Sequence, residues 1–187
     1  MSVVRLLVLG AIKRRKLAHG YRIYRDLTDW RVETWTVVRP GSIYHAISQL
    51  ESQGLIRATE NSNDQKLGPA KTEYKLTAQG EQEFEDLLEQ ALKNVNLEGL
   101  SAGIAFMEYL PRQKVVELLQ ERAKAQHNLE SFLRKLPTEE VPTVPSKHPE
   151  VIRVWAESYT YAAKSTETLI TSIKSGKYVF KNEEVKR

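Results

Sequence analysis

A chain of 187 residues is long enough for one domain or two small ones, and 41% hydrophobic content suits a packed core and is too low for an integral membrane protein. With no cysteine, disulfides and thiolate metal sites are excluded, and a reducing cytosol is compatible. The net charge of +4 is unevenly placed: residues 1–80 hold 13 Lys and Arg against 7 Asp and Glu, net +6, and the rest hold 15 against 17, net −2. That excess lies where a nucleic-acid-binding surface would need it.

Residues 3–12 are apolar apart from Arg5. The run is far short of the roughly 20 residues needed to cross a bilayer. Lys13-Arg14-Arg15-Lys16 follows it, where a signal peptide would carry small cleavage-site residues. The run therefore predicts a first helix buried in its own domain, with basic residues at its C-terminal end, and the chain is expected to stay in the cytoplasm without a membrane partner. A second helix fits residues 19–30, with Tyr21, Ile23, Tyr24 and Leu27 on its apolar side.

Residues 39–77 carry the most information. Pro40 opens a third helix, where its missing N–H costs little, and Gly54 supplies the left-handed residue that ends it. Ile43, Ile47 and Leu50 share one buried stripe. The opposite face holds Gly41, His45, Ser48 and Ser52, with Tyr44 and Gln49 on its flanks. Small and hydrogen-bonding groups of this kind fit a DNA groove and its phosphates, whereas an ordinary solvated face carries more Lys and Glu. Residues 55–60 and 71–76 predict two strands, with Ile56 and Ala58, and Tyr74 and Leu76, as one inward face. The loop between them contains Asn, Asp, Gly and Pro. Together these elements predict a winged helix-turn-helix. Residues 30–38, with Val32, Trp35, Val37 and Val38, exceed what a helix-to-helix turn needs. Either they add a short strand to the wing sheet, or Trp35 meets the C-terminal helices of another subunit.

Thr77 is placed to cap a fourth helix marked by Phe84, Leu87, Leu88, Ala91 and Leu92. A further helical segment covers 97–110, a long helix 111–136 and a last one 150–175, closed by Gly176; four prolines in 137–149 mark a linker. The expected plan is mainly α with a small β-hairpin wing, residues 1–80 forming a DNA-binding domain and 81–187 an α-helical dimerisation domain.

The chain resembles the PadR-type transcriptional regulators. The matching pieces are residues 3–14, His19-Gly20-Tyr21-Arg22-Ile23, Pro40-Gly41-Ser42-Ile43-Tyr44-His45-Ala46-Ile47, Leu50-Glu51-Ser52-Gln53-Gly54-Leu55-Ile56 and Tyr74-Lys75-Leu76-Thr77-Ala78-Gln79-Gly80. They cover roughly the first 80 residues in the family's order and spacing. Ala105-Phe106-Met107-Glu108-Tyr109-Leu110-Pro111 before a long helix is similar to the family's longer subgroup. The resemblance implies a homodimeric, usually repressing transcription factor whose C-terminal helices pair across the dimer. It also implies an effector, since family ligands include phenolic acids and lipophilic drugs.

On the DNA reading, Ser42, Tyr44, His45, Ser48 and Gln49 lie at the major groove, with Arg39 at the head of their helix. Ser42 and Tyr44 face phosphates, and Gln49 is suited to read adenine, which an amide pairs bidentately. Lys66 and Lys71 in the wing, and His19, Tyr21 and Arg22 near the second helix, would meet the backbone. Packing of Tyr44 against the wing is the competing account of that residue. Two recognition helices roughly 34 Å apart would bind successive grooves of a palindromic double-stranded operator. Gly99, Ala102 and Gly103 permit close helix approach, within the chain or at a dimer seam. Val115, Leu118, Leu119, Phe132, Leu133, Ile152, Trp155, Tyr159, Ala162, Leu169, Ile170 and Ile173 are many large residues for a thin helical layer. Phe106, Met107, Tyr109, Trp155 and Tyr159 either wall a cavity for an aromatic effector or form dimer core.

Catalysis is not expected. His19, His45, His127 and His148 show neither metal-ligand spacing nor an evident acidic partner on the same helix face. No nucleophile elbow, phosphate loop or dinucleotide fingerprint occurs, so neither metal nor cofactor is called for. The competing class is a winged helix used purely for protein interaction, which the basic N-terminal half disfavours.

Overall fold

A computed structural model describes residues 2–36, 38–59, 72–136, 149–181 and 183. Its first helix, α1 (Val3–Arg15), buries Leu6, Leu7, Val8, Leu9, Gly10, Ala11 and Ile12 in succession. A helix apolar around its whole circumference belongs at the centre of a core. Accordingly α1 packs against β1 (Ala18–His19), α2 (Gly20–Asp29), α3 (Pro40–Ser52), β3 (Glu73–Leu76) and α5 (Leu97–Ile104).

The connector between α2 and α3 is a helical turn. Arg31 adopts a left-handed φ of 54°, and Val32–Thr34 form one 3-10 turn. The N–H groups of Thr34, Trp35 and Thr36 bond to carbonyls of Arg31 and Val32 at 2.9–3.3 Å. These local bonds use the backbone groups a sheet would need, which corrects the idea of a strand here. The additional strand of the sheet is β1, just before α2. Val32 and Val38 are buried, and Trp30 and Trp35 are half-buried.

The head of α3 is fixed by Ser42, whose hydroxyl accepts from the Arg39 N–H at 3.0 Å and donates to the Arg39 carbonyl at 2.7 Å. At the other end Gly54 has a φ of 70°. The Gly54 and Leu55 amides bond back to the Glu51 and Leu50 carbonyls, both at 2.9 Å, as a left-handed closing residue permits. The chain then enters β2 (Ile56–Ala58).

The antiparallel sheet has the order β1-β3-β2, pairing Ala18 and Ala58 with Tyr74 and Ile56 with Leu76. Ile56 and Tyr74 are buried, Leu76 is half-buried and Ala58 is exposed. The inward face is therefore shorter than the alternation predicts, because β2 is a three-residue edge strand covered only at its start. Residues 60–71, with the wing tip, lie outside the described residues.

Thr77 starts α4 (Ala78–Lys93). Its hydroxyl accepts the Gly80 N–H at 3.1 Å and donates to the Gly54 carbonyl at 2.7 Å, tying the new helix to the end of α3. Asn96 caps α5 by accepting the Gly99 N–H at 2.8 Å. This helix stops at Ile104, and Met107–Tyr109 form a separate 3-10 turn where one longer segment was expected.

Two compact units result: Met1–Ala91 with Asn96–Phe106, and Leu92–Val95 with Met107–Arg187. Compaction thus does not follow the change in composition near residue 80. The first unit holds the winged helix together with most of α4 and all of α5, including buried Gly99, Ala102 and Gly103.

The second unit is built on α6 (Arg112–Arg134) and α7 (Pro149–Lys174). Val115, Val116, Leu118, Leu119 and Ala123 face Ile152, Ala156, Ala163, Ile170 and Ile173. Among these apolar groups lie Arg122, Gln126 and Thr166, all at most 1% exposed. Thr166 donates to Gln126 Oε1 at 3.0 Å, and Arg122 donates to the Val95 carbonyl at 3.0 Å. Burial pushes the Arg122 guanidinium down to about 10. Gly176, with a φ of 80°, follows the end of α7. The proline-rich linker, 137–148, is outside the described residues.

Candidate nucleic-acid interface

The inward stripe of α3 consists of Ile43, Ala46, Ile47 and Leu50. Its outward face exposes Gly41, His45, Ser48, Gln49 and Ser52, with Ser42 and Tyr44 half-buried. The structure thus brings His45, Ser48 and Gln49 onto one accessible surface, one helical turn apart. Ser42 is engaged in its cap with Arg39. Tyr44 stands against α2, its ring 6.4 Å from that of Tyr24.

A neighbour not foreseen from the sequence lies beside this face. Ser2, Val4 and Arg5 line a recess of about 320 Å³ together with Ser42, His45, Ala46 and Gln49. The Arg5 guanidinium donates to Gln53 Oε1 at 2.7 Å and to the Glu83 carboxylate at 3.0 Å. It therefore braces α1 against the end of α3 and against α4.

The exposed side of α2 carries Tyr21, Arg22 and Arg25. Asp26 lies one turn from Arg22, 3.8 Å away, but its carboxylate is clasped through both oxygens by Arg15. The hydrogen bond that the Arg15 guanidinium donates to that carboxylate is the main reason it holds its proton above its usual range. The His19 Nε2 lies 3.1 Å from the Glu73 carboxylate across β1 and β3. Arg39 is exposed at the head of α3, whereas Lys66 and Lys71 lie outside the described residues. Sequence reading gave Arg25 no role and placed Tyr24 only on an apolar side. The available signal was their position beside Tyr21 and Arg22 on one helix.

Phe106 fills the core of the first unit at 0% exposure, making edge contacts with Trp30 at 5.5 Å and Phe84 at 5.8 Å. Its surface is packed within the first unit. In the second unit Trp155 and Tyr159 stand ring to ring at 5.9 Å on α7, Trp155 being 54% exposed. The half-buried Tyr109 ring lies 3.2 Å beneath the Lys181 ammonium. Among the described residues no group of three His, Asp or Glu side chains is placed to hold a metal, and no helix is long and apolar enough to cross a membrane.

Among curated proteins, none matches the chain. Several solved structures are similar to it, these three among them. Bacillus subtilis PadR in complex with operator DNA is 22% identical, covering 92% of this chain and 99% of that one at a TM-score of 0.39. The same protein in complex with p-coumaric acid is 21% identical, with equal coverage and a TM-score of 0.39. A PadR-like transcriptional regulator from Bacillus cereus is 20% identical, with equal coverage and a TM-score of 0.38. Residues 8–86 match the model of the transcriptional regulator PadR-like family. That stretch runs from the middle of α1 through α2 and α3 into α4, and over it the chain is similar to the PadR-like family of transcriptional regulators.

Proposed function

We propose that the chain is a homodimeric repressor that binds a palindromic operator and is released by a small aromatic or lipophilic molecule. Residues 1–80 bind the DNA, and residues 81–187 dimerise and take the effector. The observation that carries this reading is the exposed face of α3, where His45, Ser48 and Gln49 share one accessible surface, with Arg22 and Arg25 exposed on α2. Gln49 reads a base edge, with His45 and Ser48 alongside it in the major groove. Tyr21, Arg22, Arg39 and Tyr44 hold phosphates, and Lys66 and Lys71 extend the contact through the wing. Ser42 supports the same face by fixing the head of the helix.

Dimerisation is supported by what the second unit leaves uncovered. Of the apolar residues counted from the sequence, Val115, Leu118, Leu119, Ile152, Ile170 and Ile173 are buried within the chain. Phe132 and Trp155 stay 60% and 54% exposed, and Val151, Val154 and Tyr161 join them. So many large apolar groups facing water on two helices suit an interface. Trp155 and Tyr159 form the effector contact on that reading.

The test begins with selection of a preferred duplex from a random library, followed by fluorescence anisotropy against a scrambled duplex near physiological salt. Specific binding should exceed non-specific binding by roughly a thousandfold and weaken steeply with salt. The selected site should be a palindrome, and sedimentation should give a dimer. Absence of binding to any duplex at low salt would move the assignment to a protein-interaction module. A variant with Trp155 as sole tryptophan should change its emission with phenolic acids or lipophilic drugs if the effector contact is right.

A further inference from the structure

Resting on the reading of α3 as the recognition helix, we infer that Tyr24 is a positioning residue that sets Tyr44 for DNA contact. Tyr24 follows Tyr21 by three residues and so shares its side of α2. The Tyr21 and Tyr24 ring centroids are 6.5 Å apart, and those of Tyr24 and Tyr44 are 6.4 Å apart at 30° between planes. Both separations lie within the range in which aromatic rings attract. The three rings make one strip from the first turn of α2 to the flank of α3.

The strip is not ordinary core. Tyr21 is 53% exposed, and Tyr24 and Tyr44 are half-buried. Among the described residues no hydrogen bond engages their three hydroxyls, whereas a buried tyrosine usually finds a partner. Tyr74 shows the contrast: it is 2% exposed, and its hydroxyl donates to the Glu51 carboxylate at 3.4 Å. Arg22 and Arg25 are exposed on the same helix as Tyr21 and Tyr24, and would draw an incoming phosphate to it. Tyr24 is the only ring of the strip in contact with both others. It restricts the Tyr44 side chain before binding, so less rotamer freedom is lost when the complex forms.

The test uses the full-length protein, its selected operator and a scrambled duplex. Tyr24→Leu should weaken binding to the operator and to the scrambled duplex alike, roughly three- to tenfold, while leaving Tm close to wild type, because a phosphate contact carries no sequence information. Tyr24→Phe keeps the ring and should bind as wild type. In the Tyr44→Leu background, Tyr24→Leu should cost nothing further, because its partner is already gone. The assignment is overturned if Tyr24→Leu binds the operator normally, or if its loss persists undiminished beside Tyr44→Leu. Equal loss in Tyr24→Phe would also overturn it, since the hydroxyl would then be the contact. A wild-type protein that selects no duplex would instead sink the operator reading itself.

Discussion

Gly10 of α1 and Phe106 after α5 occupy one space: a methyl group at position 10 would overlap the Phe106 ring, with Cε1 only 2.6 Å away. The glycine is what lets the ring seat flat against the central helix. Gly10→Ala should therefore destabilise the protein by about 1–3 kcal/mol through overpacking. Adding Phe106→Leu to that variant should recover part of the loss, although Phe106→Leu alone is destabilising. Urea unfolding of the single and double variants measures the coupling, and simple additivity would show that the two do not share the space.

This pair also shows where the sequence falls short. The winged helix was legible because its signals are local: the apolar stripe of α3, Gly54 after it and the Thr77 cap each sit within a turn of what they act on. The packing of Phe106 was not legible because its partners, Gly10, Trp30 and Phe84, lie far away in the chain, and periodicity carries no record of them. The acids near the interface posed the same problem. Nothing in the order of residues says that Asp26 is spent on Arg15 or that His19 meets Glu73.

Gly80 is constrained more tightly than Gly10. A Cβ there would overlap the carbonyl oxygen of Leu55 and lie 2.9 Å from its carbonyl carbon. The obstacle is backbone held by the Thr77 N–H at 3.0 Å, so it cannot turn aside as a side chain does. Gly80→Ala should cost at least the roughly 1–3 kcal/mol typical of overpacking. Thr77→Ala, which removes a helix cap, should cost about 0.5–2 kcal/mol. Both are read by thermal and urea unfolding, and a larger loss for Thr77→Ala would contradict the ranking.

Arg112 organises the end of the second unit. Its guanidinium pairs with both oxygens of Glu183, at 2.5 and 2.6 Å, and donates to the carbonyls of Ile173 and Tyr178. It also stands 4.6 Å from the centre of the buried Phe180 ring. A lysine cannot reproduce this planar fork. Arg112→Lys should speed protease cleavage within residues 177–183, and Arg112→Ala should speed it further. The rest of the chain should resist as before. Unchanged cleavage in both variants would show that the segment is held by Phe180 alone.

His127 supplies a pH dependence with a defined sign. Its Nε2 lies 2.8 Å from Glu167 on α7 and its Nδ1 3.6 Å from Glu130, one turn along α6. The acidic partner on its own helix is one that sequence reading missed. The hydrogen bond to Glu167 is the main reason the imidazole holds its proton more tightly than usual, ahead of the smaller contribution of Glu130. Lys124, which lines the same groove, does not reverse that direction. Because the folded value is raised, this stabilisation is fully present below the unfolded histidine value near 6.5 and is lost as pH rises through the folded value. Glu130 works the other way: its value is lowered, chiefly by the Thr160 hydroxyl and then by Arg134, so its share is lost in acid. The cluster should be most effective between the two ranges. Melting curves of wild type and His127→Gln from about pH 5 to pH 9 should diverge most at the acid end of that window and converge in alkali. A gap that stays constant across that window would mean the histidine acts by packing, with its charge irrelevant.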